Sequence, residues 1–254
     1  MGIWFDGKQL VDTNETVSDF PSISSTVRAN PTAGFSALTL TFPAYSGTST
    51  VAHGLNAAPH FWMMKDLDSS DGWYTGHISL GGGDYFRLDL ADPADQSATI
   101  FGNTLPDSNF IYNNGTSMSG AGRYVMYAWA PVEGYSAFGS YTGNGDTTGN
   151  GPFVYTGFRP ALVMIKTVSA NESGWTFVQD SARDPYNVSD SRLFWGDANQ
   201  EVTATGLGGS ASYEMDILSN GFKIRNVHSE SNVSGKKYVY ACWAENPFKT
   251  ARAR

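Results

Sequence analysis

The chain has 254 residues, 41% hydrophobic and only 16% charged, and 16 Lys and Arg against 24 Asp and Glu give it a net charge of -8. Nucleic-acid binding needs clustered cations to neutralise phosphates, so a DNA- or RNA-binding surface is excluded. Disorder goes with high charge and few aromatics, and 7 Trp, 13 Tyr and 15 Phe exclude it over most of the length.

The single cysteine, Cys242, leaves no intramolecular disulfide and no cysteine-based zinc site. No apolar run approaches the roughly 20 residues that cross a bilayer, so no membrane partner is expected. Residues 1–6 lack the basic start and long apolar stretch of a signal peptide. The 28 Gly and 11 Pro are scattered among Thr, Val, Tyr, Phe and Trp, which reads as many short strands joined by turns. No window of about 12 residues free of Gly and Pro carries apolar positions at helical spacing. Single helical turns are expected at most near residues 92–96 and 180–184. The predicted class is all-β.

Residues 1–34 precede an internal repeat and are expected to form an N-terminal attachment or linker segment. The repeat starts from Pro59-His60-Phe61-Trp62-Met63-Met64-Lys65, matched by Pro160-Ala161-Leu162-Val163-Met164-Ile165-Lys166. Gly54-Leu55 and Gly157-Phe158 precede these strings, and Gly72-Trp73 and Gly174-Trp175 follow them. From Lys to Trp the spacing is eight residues in the first copy and nine in the second. The copies also end alike, on Tyr124-Val125-Met126-Tyr127-Ala128-Trp129-Ala130 and Tyr238-Val239-Tyr240-Ala241-Cys242-Trp243-Ala244. This places one β-sandwich repeat at residues 35–134 and a second at 135–254, two tandem antiparallel jelly-roll or lectin-like units.

Both strings of each copy are apolar on both faces, the pattern of central strands covered on two sides. In the closing string of the first copy, Tyr124, Met126 and Ala128 point one way and Val125, Tyr127 and Trp129 the other. A buried Tyr or Trp stabilises by roughly 4 to 6 kcal/mol before entropy, so repeated aromatics are explained by packing first.

Catalytic chemistry finds little support. His53, His60, His77 and His228 show no metal-ligand spacing, and none recurs in both copies. No Gly-x-Ser-x-Gly elbow is present. Most aspartates lie in turn strings, where they bind their own backbone; Asp216, in Met215-Asp216-Ile217-Leu218, is the least turn-like candidate for a glycosidase pair. The Gly-rich run at residues 143–151 lacks the Lys and the helix of a phosphate loop, and a hairpin tip outweighs a Ca²⁺ loop through Asp146. No cofactor, metal or catalytic residue is assigned. Trp73, Trp175, Tyr186 and Trp195 are the glycan-stacking candidates, because a flat apolar ring matches the C–H face of a sugar. Tyr186 and Trp195 flank an insertion in the second copy, where binding loops tend to sit. Lys249, Arg252 and Arg254 form a small basic tail suited to a solvated terminus or to an acidic neighbouring subunit.

The strings Phe138-Gly139-Ser140-Tyr141-Thr142-Gly143-Asn144-Gly145, Tyr155-Thr156-Gly157-Phe158-Arg159-Pro160, Leu218-Ser219-Asn220-Gly221-Phe222-Lys223 and the stretch 238–249 carry a resemblance. The chain resembles a repeat domain of unknown function found in structural and tail-fibre proteins of tailed bacteriophages, notably marine ones. The first copy is more diverged, with Phe42-Pro43-Ala44-Tyr45-Ser46-Gly47 where Tyr-Thr-Gly-Asn-Gly would be expected. The resemblance implies a non-enzymatic virion component, made in the host cytoplasm: a tail fibre, a head fibre or a capsid decoration. Its partners would be other virion subunits in a homo-oligomer, a trimer among the options, and a host surface glycan. The alternatives are a carbohydrate-binding module and a polysaccharide depolymerase.

Overall fold

A computed structural model describes residues 20–42, 47–94, 100–114, 121–169, 174–203 and 214–246, together with the backbone of two short N-terminal strands. Those are β1 (Ile3–Phe5) and β2 (Lys8–Leu10). The first half continues with β3 (Ser25–Asn30), β4 (Phe35–Phe42), β5 (Thr48–Ala52), β6 (Phe61–Asp66), β7 (Tyr74–His77), β8 (Phe86–Arg87), β9 (Phe110–Asn114) and β10 (Gly122–Trp129). The second half holds β11 (Ser136–Thr142), β12 (Phe153–Tyr155), β13 (Pro160–Thr167), β14 (Thr176–Asp180) and β15 (Ser191–Trp195). It ends with β16 (Val202–Thr203), β17 (Met215–Leu218), β18 (Gly221–Ile224) and β19 (Lys237–Ala244). The fold is all-β, with no helix among the described residues.

Two six-stranded antiparallel sheets dominate. One runs β3-β4-β10-β6-β7-β8 and the other β11-β19-β13-β14-β15-β16. Position by position, β4-β10-β6-β7-β8 and β11-β19-β13-β14-β15 follow one strand order. Each half adds a small sheet, β5-β9 in the first and β12-β18-β17 in the second. The two Pro-to-Lys strings form β6 and β13, each beside the long closing strand β10 or β19, as two-faced apolar strands require.

Three cores follow from side-chain alternation. On one face of the first large sheet, Leu38, Leu40, Trp62, Met64, Tyr124 and Met126 meet Val51 and Ile111 of the small sheet. In the second half Val163, Ile165, Phe177, Tyr238 and Tyr240 meet Val154, Phe222 and Ile224 in the same way. The third core lies between the two large sheets, where Phe61, Met63, Phe86 and Leu88 of the first half pack on Phe138, Met164, Val239 and Ala241 of the second. Small sheet, large sheet, large sheet and small sheet thus form four layers. Trp129 stands at the centre of the middle layer, its ring 5.2 Å from Phe61 and 6.1 Å from Trp243. Phe61 and Trp243 in turn lie 5.9 and 5.7 Å from Phe138.

Three features depart from the sequence expectation. Residues 25–30, placed in an attachment or linker segment, form β3 and extend the first sheet by pairing with β4 from Ser25↔Leu40 to Asn30↔Phe35. This edge strand is mostly exposed, so its string Ser-Thr-Val-Arg-Ala-Asn carries no apolar stripe. The second departure is a slip of one residue between the halves. Tyr74 pairs with Met64, and Phe177 pairs with Ile165, the residue aligned with Met64. Trp73 therefore corresponds to Thr176 and not to Trp175. The extra residue between Lys166 and Trp175 is the cause, and with a side-chain period of two it sends the two tryptophans to opposite faces. The third is a volume exchange. Trp62 pairs with Gly76, where a Cβ would overlap the indole, whereas the second half pairs Val163 with Gln179.

Candidate functional site

The four predicted stacking residues do not share a surface. Trp73 is half-buried against the middle layer, 6.2 Å from the Tyr127 ring, with its backbone N–H donated to Asp89 Oδ1 at 2.8 Å. Trp175 is also half-buried, and its N–H is donated to Glu230 Oε1 at 3.2 Å. Both turns seat a carboxylate against the preceding glycine: a Cβ would come within 2.7 Å of the Asp89 oxygens at Gly72 and within 3.0 Å of Glu230 at Gly174. The Gly-Trp pairs are thus hairpin closures. Trp195 is 43% exposed at the end of β15 opposite Thr176, and Tyr186 is 84% exposed on the inserted loop. Ser191 and Trp195 mark the two ends of β15, about 13 Å apart, and the Tyr186 loop lies beyond the Ser191 end.

That inserted loop is tightly held. Asp184 accepts from the N–H groups of Asp190 and Ser191 and from the Ser189 and Ser191 hydroxyls, at 2.7 to 3.2 Å. Asn187 exchanges two hydrogen bonds with the backbone of Ile217 on β17, at 2.9 and 3.0 Å. Tyr186 therefore stands beside the outer small sheet. Alternation turns Phe153 and Tyr155 of β12, Lys223 of β18 and Asp216 of β17 outward there. Phe153 and Tyr155 are 47% and 68% exposed, and register sets Phe153, Lys223 and Asp216 in one row. Asp216 lies 3.5 Å from Arg225 Nε, an ion pair rather than half of a carboxylate couple. This exposed surface carries aromatic faces with charged and amide groups at their margin, the residue types that contact polar, ring-containing ligands.

The second half also encloses a charge cluster that the sequence did not disclose. Arg192 of β15 is fully buried, its guanidinium 3.4 Å above the Phe177 ring and 3.5 Å from Glu230 Oε2. Burial pushes the Glu230 carboxyl up, against the pull of Arg192. His228 Nδ1 accepts the Glu230 N–H at 3.4 Å, and burial, with Arg192 adding, lowers this histidine to about 4. Lys166 is buried beside them and is lowered by burial to about 8, with Asp92 and Glu230 opposing. Its ammonium donates to the carbonyls of Gly174 at 2.6 Å and Leu90 at 2.9 Å. Lys65, at the matching position of the first half, closes the corresponding turn by donating to Ser69 O at 3.1 Å. The lysine that ends each Pro-to-Lys string thus ties down the following hairpin, and in the second half it also grips the first half.

Other bonds cross between the halves. Gly174 N–H donates to Ala91 O at 2.7 Å, and Lys237 donates to Ser79 O. His77, buried, is bonded through Nε2 to Tyr240 O at 3.1 Å while Nδ1 accepts the Ser79 N–H, so it is neutral with Nε2 protonated. Burial lowers His77 to about 4, the bond to Tyr240 opposing. Both His77 and His228 thus sit below the unfolded value of about 6.5. Between these values the unfolded chain binds more protons, so stability is present above about pH 6.5 and is lost as pH falls toward 4. Urea unfolding at pH 7 and pH 4.5 should show the loss, and His77→Gln should remove about 2 kcal/mol of it.

The remaining predicted positions are structural in their contacts. Asp146 Oδ1 accepts from Thr148 N–H, Thr148 hydroxyl and Asn150 N–H, each at 2.8 Å, which closes the hairpin tip at residues 143–151. His53 Nε2 lies 3.1 Å from Asp107 O. Cys242 is buried, and burial raises its thiol to about 12. Among the described residues no three His, Cys, Asp or Glu side chains converge as metal ligands. Lys249, Arg252 and Arg254 lie outside the described residues. A cleft of about 450 Å³ beside β3 and β4 is lined by Ser24, Ser25, Thr26 and Thr39 together with Leu40 and Leu67. Arg123 at its rim is held by Asp68 at 2.6 Å.

The chain belongs to the family described as Domain of unknown function (DUF7483), whose match runs over residues 12–247 and so takes in both halves as one unit. No curated protein and no solved structure matches it.

Proposed function

We propose that this chain is a non-enzymatic structural protein of a bacteriophage virion, a tail fibre, head fibre or capsid decoration. It consists of two tandem β-sandwich repeats, each a large sheet covered by a small one. It works by subunit contacts and meets the host surface through the outer aromatic face of its second half. The carrying observation is the use made of the repeated residues. Of the matched aromatics, Tyr124 and Tyr238 fill the two outer cores and Trp129 and Trp243 the layer between the halves, and the matched lysines close turns, so the duplicated features are spent on rigidity. Of the charged groups with shifted proton affinity in the second half, Glu230 and Lys166 are buried and His228 is half-buried beside them. The virion assignment itself rests on the resemblance of the strings at residues 138–145, 155–160, 218–223 and 238–249 to phage structural repeats.

The test is mass spectrometry of purified particles of the virus that encodes the chain. Recovery at structural copy number supports the proposal, and absence from washed particles overturns it. A carbohydrate-binding module is the second reading, favoured by the exposure of Phe153, Tyr155 and Tyr186. It requires retention of the purified chain on host surface polysaccharide and loss of that retention in Tyr155→Ala, with an unchanged melting temperature.

A further inference from the structure

The second large sheet ends on β11, and the outer side of that strand is open among the described residues. Backbone direction follows from two bonds at its ends: Ala244 N–H donates to Tyr135 O at 2.7 Å and Gly143 N–H donates to Lys236 O at 2.9 Å. With the pairing Ala137↔Cys242, Gly139↔Tyr240 and Tyr141↔Tyr238, the odd-numbered residues turn their amide and carbonyl groups to β19. Ser136 is bonded on its other side to Val132. Phe138, Ser140 and Thr142 are left presenting three N–H and three C=O groups away from the sheet.

The first half shows what belongs there. Its equivalent strand, β4, turns Ala37 and Thr39 outward in the same way, and β3 closes them through Arg28↔Ala37 and Thr26↔Thr39. At the matching place before β11 only residues 130–135 separate it from β10, and among the described residues no strand pairs with its outer side. Natural edges are blunted by Lys, Pro, bulges or inward charges. The sequence of β11, Ser-Ala-Phe-Gly-Ser-Tyr-Thr, has no charge and no proline, and its pairing with β19 is unbroken from Ser136 to Thr142. On a chain of net charge -8 this neutral strip is a place where two copies can approach without like charges meeting.

We propose that β11 is a self-pairing edge: β11 of one copy adds antiparallel to β11 of a second copy, across a two-fold axis through Ser140. Ser140 then faces Ser140 of the second copy, and Phe138 faces Thr142 of the second copy, so all three amides and carbonyls on each side are satisfied and the two six-stranded sheets become continuous. The interface is isologous and closes as a dimer. It holds whether or not the chain is a virion component.

The full chain should sediment as a dimer, and Ser140→Lys, which sets two ammonium groups opposite each other, should sediment as a monomer with an unchanged melting temperature. In a hydrogen-bonded antiparallel pair the facing Cα atoms are about 5.5 Å apart. Ser140→Cys should therefore be joined into a covalent dimer by a short bis-maleimide, while Thr26→Cys, on the β3 edge, should not. Cys242 is buried and does not compete. A monomeric or trimeric mass for the full chain, a dimer that survives Ser140→Lys, or Ser140→Cys that stays uncoupled under conditions that label it would each overturn the proposal.

Discussion

Glu230→Ala should cost about 3 to 5 kcal/mol, measured as the loss in urea-unfolding free energy at pH 7. The carboxylate is the anion facing the fully buried Arg192 guanidinium at 3.5 Å, and its other oxygen accepts the Trp175 N–H. Removing it leaves a cation in a site from which water is excluded, against the Phe177 ring. Desolvation of that cation sets the size of the effect, since the attraction across 3.5 Å is itself modest beside the cost of keeping the guanidinium buried once the carboxylate is gone. Replacing both partners, Arg192→Met with Glu230→Met, should recover most of the loss, because the guanidinium is then no longer there to be desolvated. A double variant as unstable as Glu230→Ala would show that hydrogen bonds to the backbone, and not charge pairing, dominate the cluster.

Gly76→Val should be comparably damaging, at about 3 kcal/mol or more, because its side chain would occupy the space of the Trp62 indole in a fully buried pair. Trp62→Ala should cost about 3 to 5 kcal/mol by leaving a cavity beneath β7. The second half suggests the compensation. There Val163 pairs with Gln179 in place of Trp62 with Gly76. Trp62→Val with Gly76→Gln should therefore be more stable than either single variant, as thermal denaturation would record. Additive losses would mean that the halves reach the same strand order through packings that do not interchange.

Much of this fold was legible because its strands are apolar on both faces. The strings 59–65, 124–130, 160–166 and 238–244 announce central strands by composition alone, and the split of Tyr124, Met126 and Ala128 from Tyr127 and Trp129 is the one observed. Where a strand is bathed by solvent the signal fades, and β3 read as a linker for that reason. The shared Gly-Trp string sets Trp73 against Trp175, yet the one extra residue before Trp175 reverses the face of the strand. The candidate site was harder still. Arg192 and Glu230 are 38 residues apart and meet only because β15 and the loop after β18 converge. A lone arginine within Ser191-Arg192-Leu193-Phe194-Trp195, on a strand whose neighbours bury Phe177 and Ile165, was the signal available. The exposed face of Phe153 and Tyr155 was hidden for the opposite reason, since alternating aromatics on a short strand look like core until the second face is found uncovered.

The layer around Phe61, Trp129, Phe138 and Trp243 should make the two halves one cooperative body. Native-state hydrogen exchange of Glu230→Ala measures this directly, because the substitution lies wholly in the second half. Protection of the first-half core amides of Trp62, Met64 and Met126 should fall by the same factor as that of Ile165, Phe177 and Tyr240, on the order of 1,000-fold. First-half amides that keep their original protection while the second half loses its own would show two bodies that merely touch.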